Sequence, residues 1–434
     1  MDTLRETLEV LSSHPQARNS YDIYLAMEQR EDNAELKAMS LISEFVKRFR
    51  SIEFTLHPAD IPGESAGKGS NMAWAACKLS EKYPLGIRRD VIVTGIDAIV
   101  RVADILWCAA GMSGLYHGST IAPPTSVYSI PLSLVDRVGG WDCDPEAIGE
   151  DLHMYIKCFF ALNGHLTVRT VLSPVSQTNV SGGAGQGLGS LLADIKARYK
   201  QAMRHMWGAL DTGYALRKVF KLWKERKHTS RAYRPLHSPS KDAIEAYISE
   251  DQLHDPEQPI GLGIFSDITR DTLKQPDYQR IFYLFHRLFE AHFLPVHMTI
   301  LVVASTLFVW VTEGDPDVHG IDWIFDACNV LRTAGFMEIA LYLFLYERFH
   351  SICVSARERE MTAAGLAKGM HFSYRAVRRN YIDYIMVPFV APLYGAIPCA
   401  QAQISHFWTL DLVYSVSKKI TRQRGRSLSA ASLA

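Results

Sequence analysis

The first part of the chain alternates between helical and strand-like spacing of hydrophobic positions. Apolar residues recur at helical intervals in three stretches, and short apolar runs between them are typical of buried strands. The predicted elements, in order helix, strand, helix, strand, helix, strand, cover residues 2–12, 22–27, 32–50, 52–56, 70–82 and 90–94. This alternation favours a parallel sheet with helices on both faces, in which ligands bind beyond the carboxyl ends of the strands.

The second part carries long apolar segments instead. Residues 293–311 form a run of 19 without Asp, Glu, Lys or Arg, which is long enough to cross a bilayer; a buried soluble helix is the alternative. Residues 327–346 form a second candidate span, which Arg332 and Glu338 interrupt. Residues 382–400 contain three prolines, which predicts a kinked span or a re-entrant hairpin.

Charge is distributed unevenly around these segments. Residues 312–326 contain five acids and no Lys or Arg, whereas residues 347–380 contain seven basic residues and the tail adds more. The positive-inside rule therefore predicts that the acidic loop is outside and that the N-terminal region is cytosolic. Residues 217–231 are basic and interleaved with apolar side chains, which predicts either an interfacial helix against anionic lipid or a solvated helix.

Composition narrows the class of protein. Apolar residues make up 48% of the chain and charged residues 21%, an ordinary globular mixture. With 46 basic and 46 acidic residues the formal net charge is zero, which argues against a general nucleic-acid binder. The seven cysteines are scattered and contain no Cys-x-x-Cys pair, which fits a reducing compartment better than a disulfide framework or a zinc site.

Two polar groups follow predicted strands. A Gly-Lys-Gly turn at 67–69 opens a helix, so backbone N–H groups and Lys68 are available to a phosphate; the alternative is a flexible turn with a solvated lysine. Asp97 comes just after the strand at 90–94 and is placed to hold a ribose or a divalent cation. A turn or capping aspartate is the alternative for Asp97.

Two further clusters lie on predicted helices. Glu150 and Asp151 open a helix whose dipole keeps Asp151 ionised, so this pair can supply a general base; helix capping is the alternative. Gln201 and Arg204 are three apart and share a helix face, where arginine suits a phosphate and Trp207 offers a flat surface to a sugar ring. An amphipathic helix with a surface arginine is the alternative.

Taken in order, these motifs resemble the family 2 glycosyltransferases of the GT-A fold, and the likeness is closest to fungal members that carry a membrane domain. The stretches GGWD, GEDLHMYIKCFF and QAMRHMWG carry most of the resemblance. It implies an α/β, GT-A-like (Rossmann-like) nucleotide-sugar domain followed by transmembrane α-helices. The domains would be residues 1–215 for the transferase, 216–280 for a basic juxtamembrane segment and connector, and 281–434 for the membrane region.

The resemblance also implies residue roles in the nucleotide pocket. Lys68 and Asn71 match the Gly-Lys loop that lines it, and Asp97 matches the carboxylate that holds the nucleotide sugar and its metal, Mn²⁺ or Mg²⁺. Gln201 and Arg204 match the Gln-x-x-Arg element that contacts the diphosphate and the acceptor.

Acceptor activation is implied by a second set of matches. Asp151 matches the catalytic base, with Glu150 beside it, and Trp141 and Trp207 stand near the acceptor. The implied reaction is an inverting transfer from a nucleotide sugar, expected to be a UDP-sugar, to a hydroxyl of a glycan or lipid. Membrane lipids are expected partners and nucleic acid is not.

Several positions depart from the family pattern. Ile99 stands where the second aspartate of the Asp-x-Asp element is expected, and Asp151 follows Asp97 by only 54 positions. His205 replaces the usual tryptophan, and the family's first strand would lie before Met1. These departures lead to the hypothesis of a truncated, mis-spliced or decayed copy, and to a catalytically inactive binding or scaffolding protein as the alternative function.

Overall fold

The structure is a computed structural model. It describes single residues at 61, 365, 367 and 372 and the ranges 2–58, 68–96, 121–124, 127–142, 150–169, 188–231, 275–313, 320–363 and 374–409. Asp97, the loop at 62–67, the connector at 232–274 and the tail from 410 lie outside the described residues, as does the side chain of Lys68.

The N-terminal elements follow the predicted alternation. Their bounds are α1 Asp2–Ser12, α2 Ala17–Ser20, β1 Asp22–Glu28, α3 Ala34–Phe45, β2 Ser51–His57 and α4 Lys68–Lys82. β1 and β2 pair in parallel, with Asp22 opposite Ser51. Leu41 and Phe45 of α3 are fully buried against this pair, and α4 packs on both strands. The predicted helices and strands of this part are present, but the helix predicted over 32–50 ends at Phe45, and the short α2 was not predicted.

The third predicted strand is confirmed, but its pairing differs from the prediction. β3 (Ile92–Ile96) pairs antiparallel with β4 (Val127–Pro131), so the described strands form two two-stranded sheets and not one parallel sheet. The difference arises because β4, which the alternation pattern did not mark, supplies the hydrogen-bonding partner of β3. Ile130 of β4 then packs with Ala76 of α4 and Met154 in a shared core.

Four helices form the next layer. They are α5 (Leu132–Arg137), α6 (Glu150–Ala161), α7 (Leu188–Met206) and α8 (Ala209–Arg231). The buried face of α6 carries Ile156 and Phe159, which pack with Ala215 of α8 and with Leu284 and Leu288 further along the chain. The core of this N-terminal region is therefore continuous with the helix that precedes the first apolar segment.

The apolar segments are helical. α9 (Tyr278–His292), α10 (Leu294–Thr299), a π-helical turn (Ile300–Ala304) and α11 (Ser305–Val311) form one helix of 34 residues, and α12 (Asp322–Ala363) has 42. Within the described residues these two are long and apolar enough to cross a membrane. α13 (Val377–Ala391), a second π-helical turn (Pro392–Ala396) and α14 (Ile397–Ser405) form a bent pair, which would make a third span. Its bend of 57° fits both predicted alternatives, a kinked span and a re-entrant hairpin.

Two ionisable groups within α12, Arg332 and Glu347, have partners in neighbouring segments. The Arg332 guanidinium donates to the Leu301 carbonyl at 2.8 Å and to Ser305 Oγ at 2.9 Å. Leu301 lies in the π-helical turn, where the change of hydrogen-bonding pattern makes a carbonyl available. Lower on α12, the buried Glu347 pairs with Arg375 at 3.3 Å. Burial of both charges is therefore compensated by ion pairing and hydrogen bonding.

Candidate active site

The predicted catalytic pair opens α6. Glu150 is buried, and its Oε1 accepts a hydrogen bond of 3.1 Å from the Tyr128 hydroxyl of β4. Asp151 is only half-buried, and its Oδ1 accepts from the Leu152 backbone N–H at 3.1 Å. Two adjacent carboxylates therefore differ in access, with Glu150 held in the core and Asp151 nearer to solvent.

Two glycines turn the chain so that the GGWD motif enters the same region. Gly139 and Gly140 have φ of +89° and +109°, a backbone region that side chains with a Cβ rarely adopt. Beyond this turn the Trp141 ring stacks on Tyr128, with 5.2 Å between centroids. Asp142 is fully buried and accepts from Lys157 Nζ at 3.1 Å, so a further carboxylate joins the site already paired with a cation.

The pKa of the Tyr128 hydroxyl is affected by burial and by the three nearby acids. Burial raises the pKa of Tyr128 far above its ordinary value, and the charges of Glu150, Asp151 and Asp142 raise it further. The phenol therefore stays protonated and can only donate to Glu150.

The start of α4 approaches the same point. A Cβ placed on Gly69 would lie 3.3 Å from Glu150 Cβ and 3.6 Å from the Asp142 carbonyl oxygen. Gly69 in the first turn of α4 thus lies next to Glu150 of the predicted catalytic pair. Asn71 Oδ1 and Trp141 Nε1 are buried without a hydrogen-bond partner in the described part of the chain, which leaves one acceptor and one donor.

The predicted diphosphate-binding residues lie on α7. Gln201 is buried, and its Oε1 accepts from Arg198 at 2.8 Å, while Arg204 is half-buried. Trp207 is 3% exposed, and its ring meets His406 edge-on at 4.6 Å between centroids. In the described conformation the Trp207 ring is a core contact between α7 and the C-terminal helices, so its stacking on an acceptor stays a prediction.

Three residues of the site were not predicted from the sequence, namely Tyr128, Asp142 and Lys157. Asp142 lies within the GGWD motif, and Lys157 follows Glu150 by seven positions, which is two helical turns, so both had a local signal. Tyr128 had none, because its contact with Glu150 depends on the antiparallel pairing of β4.

The predicted metal site cannot be built from these groups. Asp97 is outside the described residues, and elsewhere in the described chain no three His, Cys, Asp or Glu side chains are grouped as a metal site. Asp142, the buried acid nearest to the pair, is instead neutralised by Lys157.

Comparison with known proteins assigns the chain to a family. Residues 81–347, more than half of the chain, match the family described as glycosyl transferase family group 2. The matched region includes Trp141, the predicted catalytic pair and α7, and it begins after Lys68 and Asn71. No curated protein and no solved structure matches the chain. On the family match, the chain belongs to glycosyl transferase family group 2.

Proposed function

We propose that this protein is a membrane-bound inverting glycosyltransferase that moves a sugar from a nucleotide sugar to a hydroxyl of a glycan or lipid. Family membership supports glycosyl transfer in general, with a nucleotide-sugar donor and an acceptor. The observation that carries the finer proposal is the cluster at the start of α6, where Glu150 contacts Tyr128 and the first turn of α4 and the adjacent Asp151 is more accessible. A UDP-sugar is the proposed donor.

Asp151 is the proposed base. It is the more accessible of the two acids, whereas Glu150 is committed to the Tyr128 hydroxyl and positions the turn. Asp151 takes the proton of the acceptor hydroxyl, whose oxygen attacks the anomeric carbon as the bond to the diphosphate breaks. The nucleoside diphosphate leaves with the electron pair, and Arg204 is the proposed cation that offsets its charge.

Asp97 remains the proposed ligand of Mn²⁺ or Mg²⁺, which would neutralise the leaving diphosphate when bound. Lys68 and Asn71 are proposed to line the nucleotide pocket, and Trp141 and Trp207 the acceptor site. The fungal likeness and the shortening of the chain stay predictions.

The two apolar helices fit a membrane protein. We propose a multi-pass arrangement with the transferase region in the cytosol, where nucleotide sugars are made. The acidic residues before α12 and the basic residues after it support this orientation.

Membrane lipids are proposed to contact α8. Leu216, Phe220 and Trp223 are exposed and recur at helical spacing, and Arg217 and Lys221 flank them. An exposed apolar stripe with basic flanks fits an anionic lipid surface. In a purified chain reconstituted into vesicles, charge reversal of Lys221 should weaken the dependence of activity on anionic lipid, and equal activity in zwitterionic vesicles would contradict this contact.

The central test is transfer by the purified full chain with a panel of labelled nucleotide sugars and Mn²⁺ or Mg²⁺. Asp151→Asn should lower transfer by about 10²- to 10⁴-fold, because the acceptor hydroxyl loses its base. Glu35→Gln is the matched control, since Glu35 is an exposed acid in the first turn of α3. Equal transfer by wild type and Asp151→Asn would refute the assignment of the base.

The alternative function is a catalytically inactive transferase-like protein with a binding role. Ile99 favours it, because a direct metal ligand is expected there in the family pattern. Nucleotide binding separates the two possibilities. A chain that neither binds a labelled UDP-sugar nor transfers any sugar favours the inactive form, whereas transfer that chelation of divalent metal abolishes favours the enzyme.

A further inference from the structure

A buried histidine–aspartate pair lies just behind the candidate active site. His153 Nδ1 and Asp211 Oδ1 are 2.7 Å apart, and both side chains are 1% exposed. His153 follows Asp151 by two positions on α6, and its ring packs on Tyr214 with 4.3 Å between centroids. The proposed reaction uses neither member of this pair.

The pair joins the two helical parts of the candidate site. His153 belongs to the turn of α6 that carries the proposed base, and Asp211 lies in the first turn of α8. α8 follows α7 after only Trp207 and Gly208, so Asp211 stands seven positions beyond Arg204. One hydrogen bond therefore connects the proposed base to the helices that carry the predicted diphosphate contacts.

The turn that carries Asp211 also contacts the apolar helices of the second part of the chain. The next residue, Thr212, also makes a hydrogen bond: its Oγ1 is 3.1 Å from Nδ1 of His292, a buried residue at the end of α9. The His292 carbonyl accepts from Cys399 Sγ at 2.9 Å and from the Gln403 amide of α14. The first turn of α8 is thus fixed to the first candidate span and to the C-terminal helix.

Such a pair is costly to bury. Burial raises the pKa of Asp211, and the hydrogen bond from His153 acts against that rise. Apolar side chains of similar volume often give equal or greater stability than a buried ion pair. A fixed hydrogen-bond direction is what the polar pair provides and an apolar pair does not.

We infer that His153 and Asp211 form a positioning pair that sets the orientation of Asp151 relative to the helices carrying Gln201 and Arg204. This inference rests on the proposed function. Neither residue touches the reacting atoms, so the pair acts through α6. Its loss should slow the chemical step and leave binding of the donor almost unchanged, because the predicted donor contacts lie outside the first turn of α6.

The experiment compares two substitutions at one position in the full-length chain. His153→Phe keeps an aromatic ring against Tyr214 but removes the hydrogen bond to Asp211. His153→Asn keeps a donor where Nδ1 stands. We expect His153→Phe to lower kcat about 10- to 100-fold with KM for the donor changed less than about twofold, and His153→Asn to recover most of kcat.

Phe159→Leu is the control for lost stability, since Phe159 is buried on the same helix and faces the apolar core. It should lower Tm and leave kcat close to wild type. A kcat that is unchanged in His153→Phe, a KM that rises as much as kcat falls, or a His153→Asn chain as impaired as His153→Phe would overturn the inference.

A wild-type chain without transfer would count against the proposed function alone. Hydrogen exchange then tests the pair directly, through the backbone amides of residues 151–154. His153→Phe should speed their exchange about tenfold while Phe159→Leu leaves them near the wild-type rate. Equal exchange in wild type and His153→Phe would show that the pair does not position this turn.

Discussion

Residues 2–231 and residues 275–409 use large apolar side chains in opposite ways. Leu41, Phe45 and Phe159 are completely buried in the first region, whereas Trp310 is 72% exposed in the second. In the most apolar window of each candidate span only 6% of the residues are buried. The first region has a core that excludes water, and the second presents an apolar surface that suits lipid. The mean hydropathy near zero is therefore an average over two regions with different surroundings.

The two regions agree in how they treat buried charge. Asp142 has Lys157 in the first region, and Glu347 has Arg375 in the second. In both, an acid on one segment is compensated by a cation, which is the arrangement that a low dielectric environment requires. The environment of the apolar side chains differs between the regions, but the rule for ionised groups does not.

The contrast in apolar burial predicts the largest effect. Phe159→Ala should destabilise the chain by about 4 kcal/mol, because it leaves a cavity in a close-packed core. Trp310→Ala should cost less than about 1 kcal/mol in micelles, since detergent contacts that side chain before and after unfolding. Thermal unfolding of the detergent-purified chain measures both, and equal losses would remove the distinction between the regions.

The shared rule for charge gives the next effect. Arg375→Met leaves Glu347 and Asp383 without their common cation, and we expect a loss of about 3 kcal/mol. Arg348→Met is the control, because Arg348 is exposed one position from Glu347. The measurement is the melting temperature in detergent. Similar melting temperatures for the two variants would mean that the ion pair in the second region is not a buried one.

The third prediction concerns the Gly139–Gly140 turn at the candidate site of the first region. Gly140→Ala forces a Cβ into a backbone with φ of +109°, which should cost about 2 kcal/mol and displace Trp141 and Asp142. Transfer should fall together with stability. Gly86→Ala serves as the control, because a Cβ meets no atom within 4 Å at either glycine but only Gly140 has a positive φ. Unchanged melting and transfer in Gly140→Ala would contradict the role of this turn.

The smallest effect concerns Asp22 of β1. Its carboxylate accepts from Arg50 and, at 2.6 Å, from Tyr83, and these hydrogen bonds lower its pKa below the ordinary value. A lowered pKa means that the folded state favours the ionised form, so the stabilisation is present above the ordinary value and is lost as the pH falls below it. Asp22→Asn should therefore lose about 1 kcal/mol at pH 7 and progressively less below about pH 4, since Arg50 is half-exposed and solvent screens the pair.

Melting curves of wild type and Asp22→Asn at several pH values test this sign. Asp32→Asn, at an exposed acid in the following loop, should shift the melting temperature little at any pH. A difference between wild type and Asp22→Asn that grows toward low pH would contradict the assignment.

Local patterns predicted the elements but not their long-range contacts. The spacing of apolar residues predicted β1, β2 and α4, and the prolines at 388, 392 and 398 predicted the bend of the third apolar segment. The antiparallel pairing of β3 was missed, because the choice of a strand partner depends on residues far along the chain.

The candidate site shows the same division. Glu150, Asp151 and Trp141 were found because they lie in short motifs. The His153–Asp211 pair was not, since 58 positions separate its members and only the folded chain brings α6 and α8 together. His153 lies in the GEDLHMYIKCFF stretch, but that motif does not indicate its partner.

Arg332 has a consequence for how the chain is made. For a chain inserted into a bilayer, α12 emerging alone would bring an unsatisfied guanidinium into the hydrocarbon, at a cost of about 3 kcal/mol. The groups that satisfy it, the Leu301 carbonyl and Ser305 Oγ, belong to the preceding helix. The two helices should therefore leave the translocon together as a hairpin, with the first retained at the lateral gate until the second arrives.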